Sequence, residues 1–496
     1  MRLFIIIVSL MCFGQAFAQG AFYYSHIQPY SNHPFSIAES NDGFLVVGNN
    51  ISNGHSNGFI MMMDKKGDVK WDKIIEDSVS DNQEQYRAVI YHKGFFYVGG
   101  FRRIENNRKK KLLKINPMNG NIIESKIFGD DQVLAGDNLI EDICPNKEGF
   151  LIAASGFDST SMSTVAQLIQ VDLDFNILWE RQYSADISSM HFSDRIEKIS
   201  SMKNGFLLIM NSLDVSEWQT NYYILRTDNE GNEIWRKSML NYQSSSTFEN
   251  TILSFNSATT FKQNKVITLF SIDNVTDSTY SQNLVLIEFD ENGNEIFYKK
   301  YPENDEGIGP CDLFSDDNNI YILGRQEVTP PYYSQLYAAK LDSEKEFLWN
   351  RHYGEQDIAE LYFCGTLTSD GGVLIGGRDL HFNFGSPYYN SIIVKTDCEG
   401  NTEWNYESCM SPELDEVNIF PNPFSNYINI HIPKLPEKSE VKINLYNTVG
   451  KLVDNLVYNE TDVIQISTSN YAKGLYHCII EVNGAVVANK KIVKAE

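Results

Sequence analysis

Short apolar runs broken by Gly, Asn, Asp and Ser succeed one another along this chain, and no stretch repeats its apolar residues at helical spacing. The first four runs are Phe35 to Glu39, Phe44 to Asn49, Phe59 to Met63 and Val69 to Ile75, separated by Asn-Asp-Gly, Ser-Asn-Gly and Lys-Lys-Gly. Runs of strand length between such breakers predict β-strands joined by tight turns. The pattern then repeats. An Asp or Asn is followed seven positions later by an apolar or aromatic residue in seven copies: Asp64/Trp71, Asn116/Ile123, Asp172/Trp179, Asp228/Trp235, Asp290/Phe297, Asp342/Trp349 and Asp397/Trp404. Successive copies lie 52 to 62 residues apart. Four strands per unit at this period, none able to bury its faces alone, predict stacked sheets. The expected fold is all-β: a seven-bladed β-propeller over residues 19–412, followed by a small immunoglobulin-like β-sandwich over 415–496.

The Asp-x-x-Gly turns (Asp64 to Gly67, Asp228 to Gly231, Asp290 to Gly293, Asp397 to Gly400) suit hairpins, because Asp caps a nearby amide and Gly accepts positive φ. They are expected to form turns and not to bind calcium. Five of the six tryptophans share one repeat position, where a large ring would wedge between neighbouring sheets. If these turns occupy one face, the loops between second and third strands gather on the other. Those loops are aromatic, and the candidate binding residues are Trp218, Tyr222, Tyr280, Tyr332, Tyr333, His381, Phe382, Phe384 and Tyr388. Flat rings beside polar groups suit sugar faces or extended peptides. Tyr223 and Tyr389 are expected to pack inward, and the basic run Arg102 to Lys111 to form a solvated hairpin tip.

The final eighty or so residues carry three ordered motifs: Val417-Asn418-Ile419-Phe420-Pro421-Asn422-Pro423-Phe424, then Val441 to Val453 with Gly450, and lastly Lys473-Gly474-Leu475-Tyr476 with Lys490 to Lys494. This succession resembles the type A C-terminal sorting domain of cargo for the type IX secretion system of Bacteroidota. The resemblance implies a sorting signal at Pro421, Asn422, Pro423, Gly450, Gly474, Tyr476, Lys490 and Lys491. It also implies docking to the type IX translocon and removal by a sortase-like peptidase. At the other end Arg2, the apolar run Leu3 to Phe13 and Ala16-Phe17-Ala18 predict a secretory signal peptide over residues 1–18. No segment is long and apolar enough for an integral membrane helix. The expected location is extracellular or attached to the cell surface, reached through the periplasm and outer membrane. Among propeller families, the repeats lack the Thr-Gly and offset of eight of quinoprotein units, match the kelch double glycine only at Gly99-Gly100 and Gly376-Gly377, and lack WD40 signatures. They look more like the loosely defined propellers of type IX cargo.

Of the chain's 496 residues 12% are aromatic and 42% hydrophobic, enough for packed cores. The net charge of −24 lies within residues 19–414. Such a field repels nucleic acid and anionic membranes. Six cysteines follow Cys12, and their pairing is open. The nine histidines show no His-x-His or His-Glu-x-x-His spacing, and Cys-x-x-Cys, Gly-x-Ser-x-Gly and a phosphate loop are absent. No cofactor or metal is implied. These observations favour a non-catalytic binding or adhesion module for a polysaccharide or surface protein. The alternative is a propeller glycoside hydrolase or polysaccharide lyase using carboxylates of the central channel, whose partners on different blades would leave no spacing to read.

Overall fold

The computed structural model describes residues 21–26, 31–52, 55–75, 83–104, 107–128, 138–158, 163–185, 191–214, 219–239, 253–261, 265–275, 280–301, 307–316, 318–328, 333–354, 359–383, 386–402, 417–432, 440–447, 451–459, 463–482 and 485–495. The signal-peptide segment 1–18 lies outside them. Contacts divide the chain into two units, the second consisting chiefly of residues from Asp397 onward.

In the first unit, Ser31–Ser40, Gly43–Ser52, His55–Met63 and Val69–Ile75 pair in that order as one antiparallel sheet. Sheets of the same order begin with first strands Gln83–His92, Leu139–Pro145, His191–Met202, Leu253–Phe261 and Gly307–Ser315. The third and fourth are linked by one parallel pairing, Thr164 with Ser193. The seventh sheet departs from the repeat. Its strands Ala359–Leu367, Val373–Asn383 and Ser386–Lys395 are completed by Phe22–His26, from the other end of the unit. Phe22 pairs with Lys395 and His26 with Ser391. Counting from Asp397 places this edge strand around Trp404; that residue lies outside the described set, and the N-terminal segment occupies the edge.

Each second strand is a continuous apolar run because both its faces are covered. In Gly43–Ser52, Leu45 and Val47 pack with Val89, Phe96 and Val98 of the second sheet, whereas Phe44 and Val46 pack with Leu374 and Ile393 of the seventh. Equivalent cores join the second to the third sheet, the third to the fourth, the fourth to the fifth and the fifth to the sixth. Leu323 and Leu336 of the sixth lie against Gly365 and Gly377 of the seventh. The circuit of sheets is therefore closed.

The repeat's turns form as expected. The Asp64 carboxylate accepts the amides of Lys66 and Asp68 at 2.8 and 3.0 Å, and Gly67 sits at φ 92°. The same bonds hold the turns at Asp172, Asp228, Asp290, Asp342 and Asp397. Hydrogen bonds from Asn294 hold the Asp290 carboxyl below its ordinary pKa. Rings of the outer strands roof these turns. Trp71 donates its indole N–H to the Pro117 carbonyl at 3.1 Å across the next sheet's turn, and Trp235 does the same to Glu291 at 2.9 Å. Phe22 takes this role at the closure: a Cβ on Gly67 would meet its ring at 2.7 Å.

The second unit contains a three-stranded sheet (Asn418–Phe420, Tyr427–His431, Val463–Ser467) and a four-stranded one (Leu452–Asn459, Glu440–Asn447, Gly474–Val482, Ala485–Lys494). Ile428, Ile430, Ile443, Leu445, Cys478, Ile480 and Ile492 belong to one common core. The Pro421-Asn422-Pro423 segment is fastened to the last strand. Asn422 donates to the Lys491 carbonyl at 3.0 Å and accepts from the Val493 amide at 2.8 Å. Phe424 bonds through its amide to Val493 at 2.8 Å and packs against Tyr476, which is buried. Lys490 and Lys491 lie on that last strand opposite Cys478 and His477. Gly474 adopts φ 147°. Gly450 lies outside the described residues.

Two outcomes follow from these contacts. Phe22→Ala should lower unfolding stability by about 2 kcal/mol in a denaturant titration, whereas Tyr23→Ala, whose ring is exposed, should change it by less than about 0.5 kcal/mol. Equal effects would deny Phe22 its sealing role. Asn422→Ala removes two bonds to the terminal strand, so hydrogen exchange of the Val493 amide should accelerate about tenfold or more in the full chain.

Candidate functional site

Six of the first strands contain a register shift at an equivalent place: Pro34/Ser36, Tyr86/Ala88, Ile140/Asp142, Ile196/Lys198, Phe255/Ser257 and Pro310/Asp312. A bulge inserts one unpaired residue and re-aims its side chain. Here the inserted positions are Phe35, Arg87, Glu141, Glu197, Asn256 and Cys311. The side chains of the first four converge across neighbouring sheets. Arg87 lies over the Phe35 ring at 5.5 Å and pairs with Glu141 at 2.6 Å. Glu197, on the next sheet, is bonded by the Asn211 amide.

The arc continues in the other direction. His33, two residues before Phe35, receives Arg378 of the seventh sheet at 3.0 Å, and that guanidinium lies 4.1 Å from the centre of the Tyr389 ring. From Tyr389 through Arg378, His33, Phe35, Arg87 and Glu141 to Glu197, the chain of groups spans five sheets. One residue beyond the bulges is a second set. Lys198 of the fourth sheet pairs with Asp312 of the sixth at 3.0 Å, skipping the fifth, so it reaches across the space that the first strands surround. Asp312 also accepts the Tyr362 hydroxyl at 2.6 Å, and Asp142 accepts the Ile199 amide at 2.9 Å. The Lys198 side chain is 42% exposed, so this space admits water.

Charge is tuned along the arc. Burial, then the neighbouring Glu141, push Glu197 up to about 7 against the opposing pull of Arg87, Lys198 and Arg195. Burial and Arg378 lower His33 to about 4, so its imidazole stays neutral at ordinary pH. For Lys198 burial opposes the charge, yet Asp312 and Asp142 outweigh it and raise the pKa. Burial raises Asp142. The site thus combines two guanidiniums laid on rings with one carboxylate paired to Arg87 and another pushed up to about 7. Among the described residues no group of three or more His, Cys, Asp or Glu side chains converges to hold a metal.

Of the aromatic candidates from the sequence, Trp218, Tyr332 and Phe384 lie outside the described residues. Tyr280 and Tyr333 open the third strands Tyr280–Phe289 and Tyr333–Leu341. His381 and Phe382 belong to Val373–Asn383 and pair with Tyr388 and Pro387, so the expected loop is a continued hairpin. Tyr222 pairs opposite Asn211 and packs, half-buried, against the fourth-to-fifth sheet core, and burial with Glu197 nearby pushes its hydroxyl up to about 12. Tyr223 is buried as expected, whereas Tyr389 stacks with Arg378. The basic run is corrected. Its Lys110 and Lys111 are buried, the latter paired with Glu84 and the former drawn down to about 8 by burial, because both sit in Asn107–Ile115 and not at the tip. The arc itself was missed. Nothing in a sequence marks a bulge, and the residues that share this place have different chemistry.

Residues 418–495 match the family described as the secretion system C-terminal sorting domain. A search of curated proteins finds no match. Among solved structures, a polysaccharide lyase of family PL25, an ulvan lyase, is similar at 10% identity and TM-score 0.50, covering 79% of this chain and 98% of that one. Sqt1 from Chaetomium thermophilum is similar at 9% identity and TM-score 0.41, covering 76% of this chain and 98% of that one. The first likeness is one of fold, and agrees with the all-β succession of antiparallel sheets. No helix among the described residues is long and apolar enough to cross a membrane. By its sorting domain, the protein is cargo of type IX secretion, exported to the cell surface or the extracellular space.

Proposed function

We propose that residues 19–412 form a seven-bladed propeller and residues 415–496 an immunoglobulin-like sandwich that a sortase-like peptidase removes. In this reading, the exported propeller binds an anionic glycan at the loop-side mouth of its central space. The observation that carries this is the pair of arginines on rings, Arg378 on Tyr389 at 4.1 Å and Arg87 on Phe35 at 5.5 Å, within a chain of charge −24. A stacked guanidinium spreads its N–H groups in the plane of the fork; Arg87 uses one on Glu141 and Arg378 one on His33, and a planar fork matches a carboxylate or sulfate. The neighbouring ring surfaces suit sugar faces. The aromatic hairpin from His381 to Tyr388 extends the same strands that hold Arg378 and Tyr389.

A second reading, cleavage of that glycan, is favoured by one observation. Glu141 is paired with Arg87 at 2.6 Å, while burial and Glu141 push Glu197 beside it up to about 7. Two carboxyls in such different surroundings can serve as base and acid.

Binding of the mature protein to uronate-bearing or sulfated polysaccharides should exceed binding to neutral ones, and Arg378→Ala should weaken it at least tenfold, or about 1.4 kcal/mol, by titration calorimetry. Equal retention of neutral and anionic chains would refute the site. Affinity should also rise as pH falls through about 7, because Glu197, which faces Glu141, Arg87, Arg195 and Lys198, then loses its negative charge. Glu197→Gln should remove this dependence while leaving tight binding. Shortened chains or new reducing ends in the same samples, lost in Glu197→Gln, would establish the second reading.

A further inference from the structure

At the loop-side end of each sheet, one register row faces the preceding sheet and carries polar groups that are covered. In the first sheet the row includes Asn32 and Asn50, and Asn50 donates to Asn32 at 2.6 Å. In the second, Glu84 lies opposite Arg102 and also pairs with Lys111. In the seventh, Asp379 accepts the Asn390 amide at 2.9 Å. Each of the first and seventh rows leaves one acceptor over, Asn50 Oδ1 and Asn390 Oδ1. The fourth sheet leaves two beside a carboxylate.

Its row is Asp194, Ser212 and Asn221, placed directly opposite one another on three adjacent strands. They are 3%, 0% and 5% exposed. Ser212 Oγ and Asn221 Oδ1 have no hydrogen-bond partner, and Asp194 accepts the Ala185 amide through one oxygen at 3.2 Å. Apolar residues of the third-to-fourth sheet core, including Ala166, Ile196, Met210 and Tyr223, form the floor. Thr164, buried and two residues before Ala166, faces the row from the third sheet, and its pairing with Ser193 closes the loop-side end of the seam. Arg236 lies over Tyr223 at 5.8 Å, but its donors are engaged by Glu233 and the Ser184 carbonyl.

A buried oxygen without a donor costs about 1–3 kcal/mol, so neighbouring acceptors in one seam ask for a shared occupant. Directly opposed residues have Cβ atoms about 5 Å apart. An ion seated above Ser212 is thus flanked by Asp194 on one side and Asn221 on the other, each able to lean inward. A carboxylate, an amide oxygen and hydroxyls are hard ligands, the set that calcium takes at about 2.4 Å. We propose that this seam holds a hard divalent cation of the calcium class, ligated by Asp194, Ser212 and Asn221, with Thr164 or water completing the shell. With a single carboxylate, the affinity belongs in the range of about 10⁻⁴–10⁻³ M typical of extracellular modules. The site lies apart from the arginine arc and stands whether or not a glycan binds there.

The test uses the full mature chain stripped with chelator and titrated with CaCl2, with MgCl2, NaCl and KCl as separate arms. Calcium should raise the melting temperature saturably by about 2 °C or more. Terbium should give luminescence sensitised by Tyr223, displaced by calcium. Asp194→Asn should abolish both signals; if that variant fails to fold, Ser212→Ala should weaken them about tenfold. Asn221→Asp adds a second carboxylate and should tighten calcium binding at least tenfold. Absence of a calcium-specific shift in the native protein, or signals unchanged in Asp194→Asn, would overturn the proposal and leave the row to water. Failure of Asn221→Asp to tighten binding would remove Asn221 from the ligand set and refute the site as drawn.

Discussion

The structure depends on one constraint: every inner sheet has two apolar faces and can bury them only between two neighbours. Phe44 and Val46 face one way from their strand, Leu45 and Val47 the other, and all four are fully buried. An open row of such sheets would leave two apolar faces in water at its ends, each bearing several side chains worth about 1.5–3 kcal/mol of transfer free energy. Closure removes both. That burden falls on Phe22–His26, which completes the seventh sheet and carries a ring to the first sheet's turn. The closure is non-covalent and joins the unit's two ends, so it couples the stability of the last sheet to the first.

The same packing explains the bulges. First strands crowd together around a common space, and a strand in regular pleat would direct alternate side chains into its neighbours. One inserted residue per strand turns Phe35, Arg87, Glu141 and Glu197 into that space without breaking the ladder on either side. The device recurs because the crowding recurs, while the residue it presents is free to vary. Chemistry can therefore differ from sheet to sheet over one conserved backbone feature.

That separation decides what the sequence reveals. The Asp-to-aromatic offset of seven is legible because one turn and one roofing ring impose it at every copy, as with Asp228 and Trp235. The sorting region is legible because its motifs are contiguous, and the clasp between Asn422 and Val493 gives the first and last of them a shared physical task. The edge strand Phe22–His26 is not legible, since it has no preceding turn and no partner nearby in sequence. The aromatic run near His381 is visible, but its continuation as paired strands is set by the hairpin register and not by composition. The row Asp194, Ser212 and Asn221 is invisible for the strongest reason: three residues scattered over 28 positions meet only through two cross-strand registers.

The distribution of cations supplies the last step. Lysines on outer strands are committed to the scaffold: Lys73, Lys126 and Lys299 donate to carbonyls of the following sheet's turn, from Gly120, Phe175 and Lys345, at 2.8, 2.7 and 3.0 Å. A flexible ammonium suits this task, since it needs one oxygen at the end of a long reach. Near the centre the cations with rings beneath them are arginines, Arg378 and Arg87. A guanidinium is less strongly hydrated than an ammonium and lies flat on a ring, so it can be drawn inward while its edge makes hydrogen bonds, as Arg87 does to Glu141 and Arg378 to His33. On the proposed glycan-binding reading, in a protein whose net field repels anions at a distance, such inward arginines would discriminate by contact: an anionic chain would have to come close enough to exchange water for the fork and the ring together.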